Sequence, residues 1–280
     1  MKRAKSLLTV SLVAMLSVGC VTPPPNEEIA NLDYGSCPSN YETKIKENFQ
    51  SRLIVVYLGE PIIWPPQRYW FKESPLLGGK LYAGFLVPVT VEQKHRLEPR
   101  MNGKQLYGFI FKDNELVKTL DPMRTDSISI SESTGPLPKD ERDWKVGHST
   151  SNDARSITEW VLPGETVQNW SELITLQSFS NVSMNLTPEK LARDVAEGHK
   201  KNCTNVSLKI LTSSLTEVLY ERVATNCAPL RDEYAIGKYI RGPRTMSSIF
   251  YTKTSALNET EKKKWTGIVE RVKLMNECQK

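Results

Sequence analysis

The feature that most constrains this chain is a pair of cysteines, Cys203 and Cys227, which can lie opposite each other in a β-hairpin with its tip near Leu215. One-to-one pairing from the cysteines gives a mainly apolar face of Val206/Ala224, Leu208/Arg222, Ile210/Tyr220 and Thr212/Val218. The other face places Lys209 opposite Glu221. A single buried face and an opposite-charge pair both specify strand register. The pattern therefore predicts a long hairpin, closed by a Cys203–Cys227 disulfide.

The first twenty residues indicate export. Lys2, Arg3 and Lys5 form a cationic start, and an apolar run from Ser6 to Val18 follows it. This run is too short for a bilayer, which needs about 20 helical residues. A short apolar run behind a basic start is typical of a cleaved signal peptide.

Ser17-Val18-Gly19-Cys20 ends this segment and resembles the lipobox of bacterial lipoproteins. That family usually has Leu at the position of Ser17, and here Leu16 lies one residue earlier. The resemblance implies that residues 1–19 are removed and that Cys20 is acylated, so that the lipid membrane itself is a partner. Val21 rather than Asp follows the cysteine, which implies the outer membrane, facing the periplasm or the cell surface. The alternative is a plain signal peptide with an incidental cysteine.

Charge and cysteine content narrow the possible partners. The formal charge of +5 falls to +2 once Lys2, Arg3 and Lys5 are removed, which argues against nucleic acid as a partner. Four of the five cysteines follow Cys20, and an even number in an oxidising compartment is typical of disulfides. By elimination Cys37 pairs with Cys278, or both stay free thiols. No CxxC motif occurs, and we expect neither a metal nor a cofactor.

Composition divides the chain into segments. We expect an α+β fold of small antiparallel sheets with a few flanking helices, in two domains. The predicted ranges are a signal peptide at 1–19, a proline-containing tether at 20–36, an N-terminal α+β domain at 37–121, a linker or loop at 122–156, and a C-terminal α+β domain at 157–280.

The N-terminal region begins with a predicted helix over 39–53, opened by a Ser39-x-x-Glu42 capping box. A strand is expected at 54–58. Strict alternation from Leu81 to Val91 predicts a longer strand, in which Pro88 indicates an edge or a bulge. A hairpin is expected around Lys112-Asp113-Asn114.

The C-terminal region alternates strand and helix signals. We expect a strand at 157–162, and Trp170 to Phe179 fits strand or helix, with its β-branched centre favouring strand. Thr187-Pro188 opens a helix. A second hairpin is expected around 241–244. The chain ends in a helix capped by Asn258 and Glu261, whose apolar stripe we expect to continue to Cys278.

The sequence contains no local catalytic motif, and we assign no catalytic residue. The one candidate binding surface is the proline- and aromatic-rich segment 61–71, with Trp64, Arg68, Tyr69, Trp70 and Phe71 as anchors for a protein or glycan. Alternatively, these rings cover the first sheet.

Two functions fit these observations. One is a non-enzymatic binding or structural module that docks on an envelope protein complex or the cell wall. The other is an anchored periplasmic enzyme such as a cell-wall hydrolase. A flat apolar patch around 64–71 favours docking, whereas a cleft with converging polar groups and a carboxylate or histidine of shifted pKa favours an enzyme.

Overall fold

A computed structural model describes residues 29, 31–51, 55–73, 79–122, 139–275 and 278. These residues form two antiparallel sheets with α-helices packed on them, so the expected α+β class is confirmed in a mostly β form. The predicted signal peptide, Cys20 and residues 21–28 lie outside the described residues. No helix in the described part is long and apolar enough to cross a membrane.

The first sheet is organised around one long central strand. Its elements are helix α1 (Tyr41–Gln50) and strands β1 (Val55–Tyr57), β2 (Ile62–Ile63), β3 (Gln67–Lys72), β4 (Leu81–His95), β5 (Gly103–Lys112) and β6 (Glu115–Leu120). The strand order is β1-β4-β5-β6, and β2 and β3 also pair with β4. Ile45 and Phe49 of α1 pack on Val87, Val89 and Phe109, which forms the core on that face.

Pro88 lies in the centre of this sheet, so the expectation of an edge strand is wrong. The N–H of Trp64 donates to the carbonyl oxygen of Pro88 over 3.0 Å. In an antiparallel strand the N–H and C=O of one residue point to the same neighbour. The N–H that Pro88 lacks would therefore point into the break between β2 and β3, where no ladder bond is lost.

The predicted capping box at Ser39 does not form. Helix α1 begins at Tyr41, its N-cap is Asn40, and no side chain caps it. The backbone N–H and the hydroxyl of Ser39 instead donate to Oδ1 of Asn114, over 2.7 and 3.1 Å. Ser39 thus joins the helix to the β5–β6 turn, and the described helix is shorter than the predicted 39–53.

The second sheet has seven strands and a helix on each face. Its strands are β7 (Lys145–Ser151), β8 (Arg155–Val161), β9 (Glu172–Phe179), β10 (Cys203–Ser213), β11 (Glu217–Cys227), β12 (Glu233–Arg241) and β13 (Met246–Lys253), in the order β10-β11-β12-β13-β9-β8-β7. Helix α2 (Pro188–His199) packs on Val218, Tyr220 and Tyr239. Helix α3 (Glu259–Glu270) packs on Leu219, Ile236 and Ile249, which point to the opposite face.

The predicted cysteine hairpin is confirmed for most of its length. Cys203 pairs with Cys227, and the predicted register holds as far as Ile210 and Tyr220. It then shifts by one, so that Thr212 lies opposite Leu219 rather than Val218. At the glycine-free tip, the Ser214 hydroxyl accepts the N–H groups of Thr216 and Glu217 and so forms the turn.

Both predicted helix caps of the second sheet are confirmed. The Thr187 hydroxyl accepts the N–H of Lys190 over 3.2 Å, and Asn258 and Glu261 form a complete capping box. Helix α3 nevertheless ends at Glu270, so the expected continuation to Cys278 is wrong. The ammonium of Lys238, 3 % exposed, donates to the carbonyl oxygens of Glu270 and Val272 over 3.0 Å each and holds the helix terminus there.

The predicted linker 122–156 is wrong in its second half. Residues 145–151 form β7, which pairs with β8, and β8 begins at Arg155. Every residue of β7 is exposed at the sheet edge, which explains why the sequence shows no apolar alternation there. Residues 123–138 lie outside the described part of the chain.

Two disulfides join the predicted partners, Cys203–Cys227 and Cys37–Cys278. The end of the predicted tether 20–36 is also attached to the first sheet. Asp33 forms an ion pair with Lys112 over 2.8 Å, and Ser36 donates its N–H to Asp113. Of the predicted tether, residues 33–36 therefore belong to the folded body.

Candidate functional site

The five predicted surface residues of segment 61–71 do not share one surface. Strand β3 alternates its side chains, so Tyr69 and Phe71 point to one face of the sheet while Arg68 and Trp70 point to the other. Arg68 lies over the ring of Tyr34, 5.8 Å from its centroid. The alternation of the strand therefore divides the predicted surface between the two faces of the sheet.

Tyr69 and Phe71 cover the first sheet. Both pack against the buried cluster of Leu86, Ile110 and Leu120. Burial raises the pKa of Tyr69 to about 12. This packing agrees with the alternative in which the rings form part of the core.

Trp64 lies elsewhere, on the floor of a cleft between the two sheets. It is 4 % exposed, and its indole N–H donates to the hydroxyl of Thr90 over 3.1 Å. Because this bond satisfies the only polar atom of the side chain, the ring offers an apolar surface.

The cleft has a volume of about 230 Å³. Its first wall comes from the first sheet and its second wall from the segment before α2 and two hairpin ends. The lining residues are Leu58, Gly59, Glu60, Ile62, Trp64, Thr90, Glu92, Lys104, Met184, Leu186, Thr187, Leu215 and Arg241.

Arg241 positions the second wall. It is 5 % exposed at the end of β12, and its guanidinium donates to the carbonyl oxygen of Leu186. Thr187, which follows Leu186, caps α2, and the N–H of Val182 donates to the carbonyl oxygen of Arg244 over 2.9 Å. The segment that carries Met184 and Leu186 is thus fixed to the β12–β13 turn.

The rim of the cleft is apolar and exposed. Leu58 is 54 % exposed, and Leu215, at the tip of the β10–β11 hairpin, is 65 % exposed. Val56, on the same face of β1 as Leu58, is 40 % exposed. Large apolar side chains from both sheets therefore meet solvent at one opening.

The cations and the carboxylates of the cleft lining differ in what they contact and in how exposed they are. Both cations are directed at the second wall: Arg241 at Leu186, and Lys104 at the carbonyl oxygen of Met184, 3.5 Å away. The Glu60 side chain is 90 % exposed, with Lys46 at 3.9 Å. Glu92 forms no ion pair with any residue that the structure describes. Glu92 lies opposite Lys104 in the β4–β5 register, so the four charges of the lining balance, and the two carboxylates are the more exposed of them.

Among the described residues that line the cleft there is no histidine and no cysteine, and both threonine hydroxyls already accept hydrogen bonds. Thr90 accepts a hydrogen bond from Trp64, and Thr187 caps α2. Within the described ranges, no group of three or more His, Cys, Asp or Glu side chains could hold a metal ion. What this arrangement can do is bind an apolar group beside charged groups of both signs.

The three histidines lie away from the cleft. Nδ1 of His95 accepts the N–H of Glu98 in the β4–β5 connection, and His148 is exposed on β7. His199 ends α2 beside Arg222 and Glu233. Burial, and then the charge of Arg222, lower its pKa against a weaker opposing effect of Glu233.

A buried polar network lies under α3. Asp140 accepts hydrogen bonds from Trp144, Arg142 and Lys264 over 2.7, 2.8 and 2.9 Å. Burial alone would raise the pKa of Asp140, but these bonds outweigh it and lower the pKa. Its carboxylate is committed to structure rather than to a ligand.

No sequence pattern predicts that several of the lining residues lie in a cleft. Glu92 and Lys104 are ordinary strand residues, and Arg241 belongs to a predicted hairpin tip. Leu215 is the exception, because an apolar residue at a hairpin tip has no core to enter.

Comparison with protein-family models, curated proteins and solved structures finds no match. What the cleft binds must therefore be inferred from its own residues.

Proposed function

We propose that the protein is a bacterial envelope lipoprotein, held in the outer membrane by acylated Cys20, whose body is a non-enzymatic module that docks on an envelope protein. One observation carries the proposal. Four of the five cysteines pair in two disulfides, and the cysteine left over is Cys20 of the lipobox-like sequence. Disulfides belong to oxidising compartments, which agrees with export.

The attachment of the tether supports the same proposal. Asp33 and Ser36 are fixed to the β5–β6 turn by the ion pair and the hydrogen bond described above, and Cys37 next to them is held by its disulfide to Cys278. A chain that leaves a lipid at Cys20 therefore reaches the body at one end of β5. Lys104 of the cleft lies at the other end of this strand. At about 3.4 Å per residue, the stretch from Lys104 to Lys112 spans about 27 Å.

This separation suits a docking module. The cleft lies well away from the point where the tether reaches the body, so that a partner can approach it without meeting the anchor. The apolar rim and occupied hydroxyls of the cleft favour binding over nucleophilic chemistry.

A fractionation experiment tests the anchor. In cells, the Cys20→Ala variant should leave the membrane fraction and appear in the soluble periplasmic fraction with both disulfides intact. The matched control, the Cys37→Ser/Cys278→Ser variant, should stay with the membrane because it keeps the acylation site. If Cys20→Ala fractionates like the wild type, the proposal is wrong.

A further inference from the structure

We infer that the cleft binds an extended segment of a partner protein in which a large apolar side chain lies next to a basic one. The inference rests on the proposed function, which places a protein partner in the envelope, and it adds the chemistry that the partner must present. Three features of the cleft carry it.

The first feature is the apolar surface at the opening. Leu58 and Leu215 line the cleft from its two walls and are each more than half exposed, and Trp64 and Ile62 line it with them. Burying apolar area is favourable by about 25 cal/mol per Å². A partner side chain inserted here would remove both leucines and itself from water.

The second feature is the size of the cleft. Its volume of about 230 Å³ lies below the range of about 300–1,000 Å³ typical of small-molecule sites. A space of this size suits one or two side chains that project from a longer segment. The open rim leaves room for the backbone of that segment to continue on either side.

The third feature is the sign of the available charge. Lys104 and Arg241 are directed at carbonyl oxygens of the second wall, whereas Glu60 and Glu92 are the lining carboxylates, and Glu60 is almost fully exposed. The lining carries no net charge, because Lys104 and Arg241 stay charged and Lys104 lies opposite Glu92 in the β4–β5 register. The carboxylates are the more exposed charges at the opening, so a lysine or arginine of the partner would form its ion pairs with Glu60 and Glu92 there. The distance from the tether attachment disfavours a membrane surface as the occupant.

Selection from a random library tests this chemistry directly. A phage library of random 12-residue peptides would be selected on the mature lipoprotein in nanodiscs. Peptides enriched over empty nanodiscs should combine large apolar residues with Lys or Arg. Fluorescence anisotropy of a labelled enriched peptide would then give its dissociation constant for each variant.

The variants separate the two kinds of contact. Leu58→Asp/Leu215→Asp and Glu60→Lys/Glu92→Lys should each weaken peptide binding at least tenfold. Matched controls introduce the same new residues at exposed positions elsewhere and should leave binding unchanged. They are Leu97→Asp/Leu230→Asp and Glu47→Lys/Asp153→Lys. Circular dichroism checks that every variant is folded.

Three results would overturn the inference. They are the absence of enriched peptides, the enrichment of peptides without basic residues, and equal binding by the cleft and control variants. Binding of phosphatidylethanolamine–phosphatidylglycerol vesicles that is lost in Leu58→Asp/Leu215→Asp would instead assign the rim to a lipid surface. If the protein is lipidated but fails these tests, only the inference about the cleft is wrong. If the protein passes these tests but is not lipidated, the proposed anchor is wrong and the inference stands.

Discussion

Cys37 and Cys278 form a disulfide that joins the start of the first sheet's folded region to the segment after α3, across 241 residues of sequence. Cys203 and Cys227 are 24 residues apart in one hairpin. In the chain-entropy description, a disulfide that closes a longer loop restricts the unfolded chain more.

Removing the long-range disulfide should therefore cost more stability. We expect Cys37→Ser/Cys278→Ser to lower the free energy of unfolding by about 2 kcal/mol more than Cys203→Ser/Cys227→Ser does. Urea unfolding of the protein with both disulfides and of the two variants measures this difference in free energy. An equal or smaller loss for the long-range pair would show that it does not restrict the unfolded chain in this way.

Lys238 should be a large contributor to the stability of α3. Its buried ammonium donates to two carbonyl oxygens and lies 2.7 Å from Glu217. Lys238→Met leaves the carbonyls without their donor, and we expect a loss of about 2–4 kcal/mol in the free energy of unfolding. Lys262→Met is the control, because its ion pair with Glu259 is on the surface and its loss should be undetectable. Similar effects of the two substitutions would contradict the assigned role.

Two glycines should respond to alanine with opposite signs. A Cβ at Gly237 would lie 2.5 Å from the ring of Tyr220, which is buried, so Gly237→Ala should destabilise the second sheet by about 1–3 kcal/mol. A Cβ at Gly198 in α2 meets nothing within 4 Å, and Gly198→Ala should stabilise by about 0.5–1 kcal/mol. Thermal unfolding of both variants measures this, and a neutral Gly237→Ala would show that Tyr220 can move aside.

His199 should make the protein less stable in mild acid. Burial and Arg222 lower its pKa below the ordinary value of 6.5, so the unfolded chain takes up a proton before the folded protein does. Stability should fall as the pH drops below about 6.5, and this loss should level off below the folded pKa.

The pH dependence of thermal unfolding between pH 7.5 and 5.5 tests this prediction. The wild type should lose stability across the window, and His199→Asn should lose less. His148→Asn, at an exposed position of β7, should follow the wild type. Parallel curves for the wild type and His199→Asn would contradict the role given to His199.

The sequence predicts the hairpins and helix caps well because their signals are local. The Cys203–Cys227 register follows from alternation, and the Asn258–Glu261 box from a four-residue pattern. The capping box at Ser39 fails because Asn114, distant in sequence, competes for the same groups. The sequence does not predict strand β7, because all its side chains are exposed at the sheet edge and no alternation of apolar residues is required there.

The candidate site could not be predicted in the same way. Trp64 belongs to the aromatic segment that the sequence singles out, but Leu215 and Arg241, which line the same cleft, come from the other sheet. The cleft exists only because the two sheets meet there, and no periodicity in either region encodes that contact. The aromatic segment does not form one surface, because strand alternation sends adjacent rings to opposite faces.

Intact-mass spectrometry of the protein purified from membranes, with and without reduction, tests the central claim most directly. The account predicts a chain that lacks residues 1–19, carries the added mass of acyl chains on Cys20, and gains about 4 Da on reduction of its two disulfides. A chain of unmodified mass, or one cleaved elsewhere, would contradict the lipid anchor at Cys20.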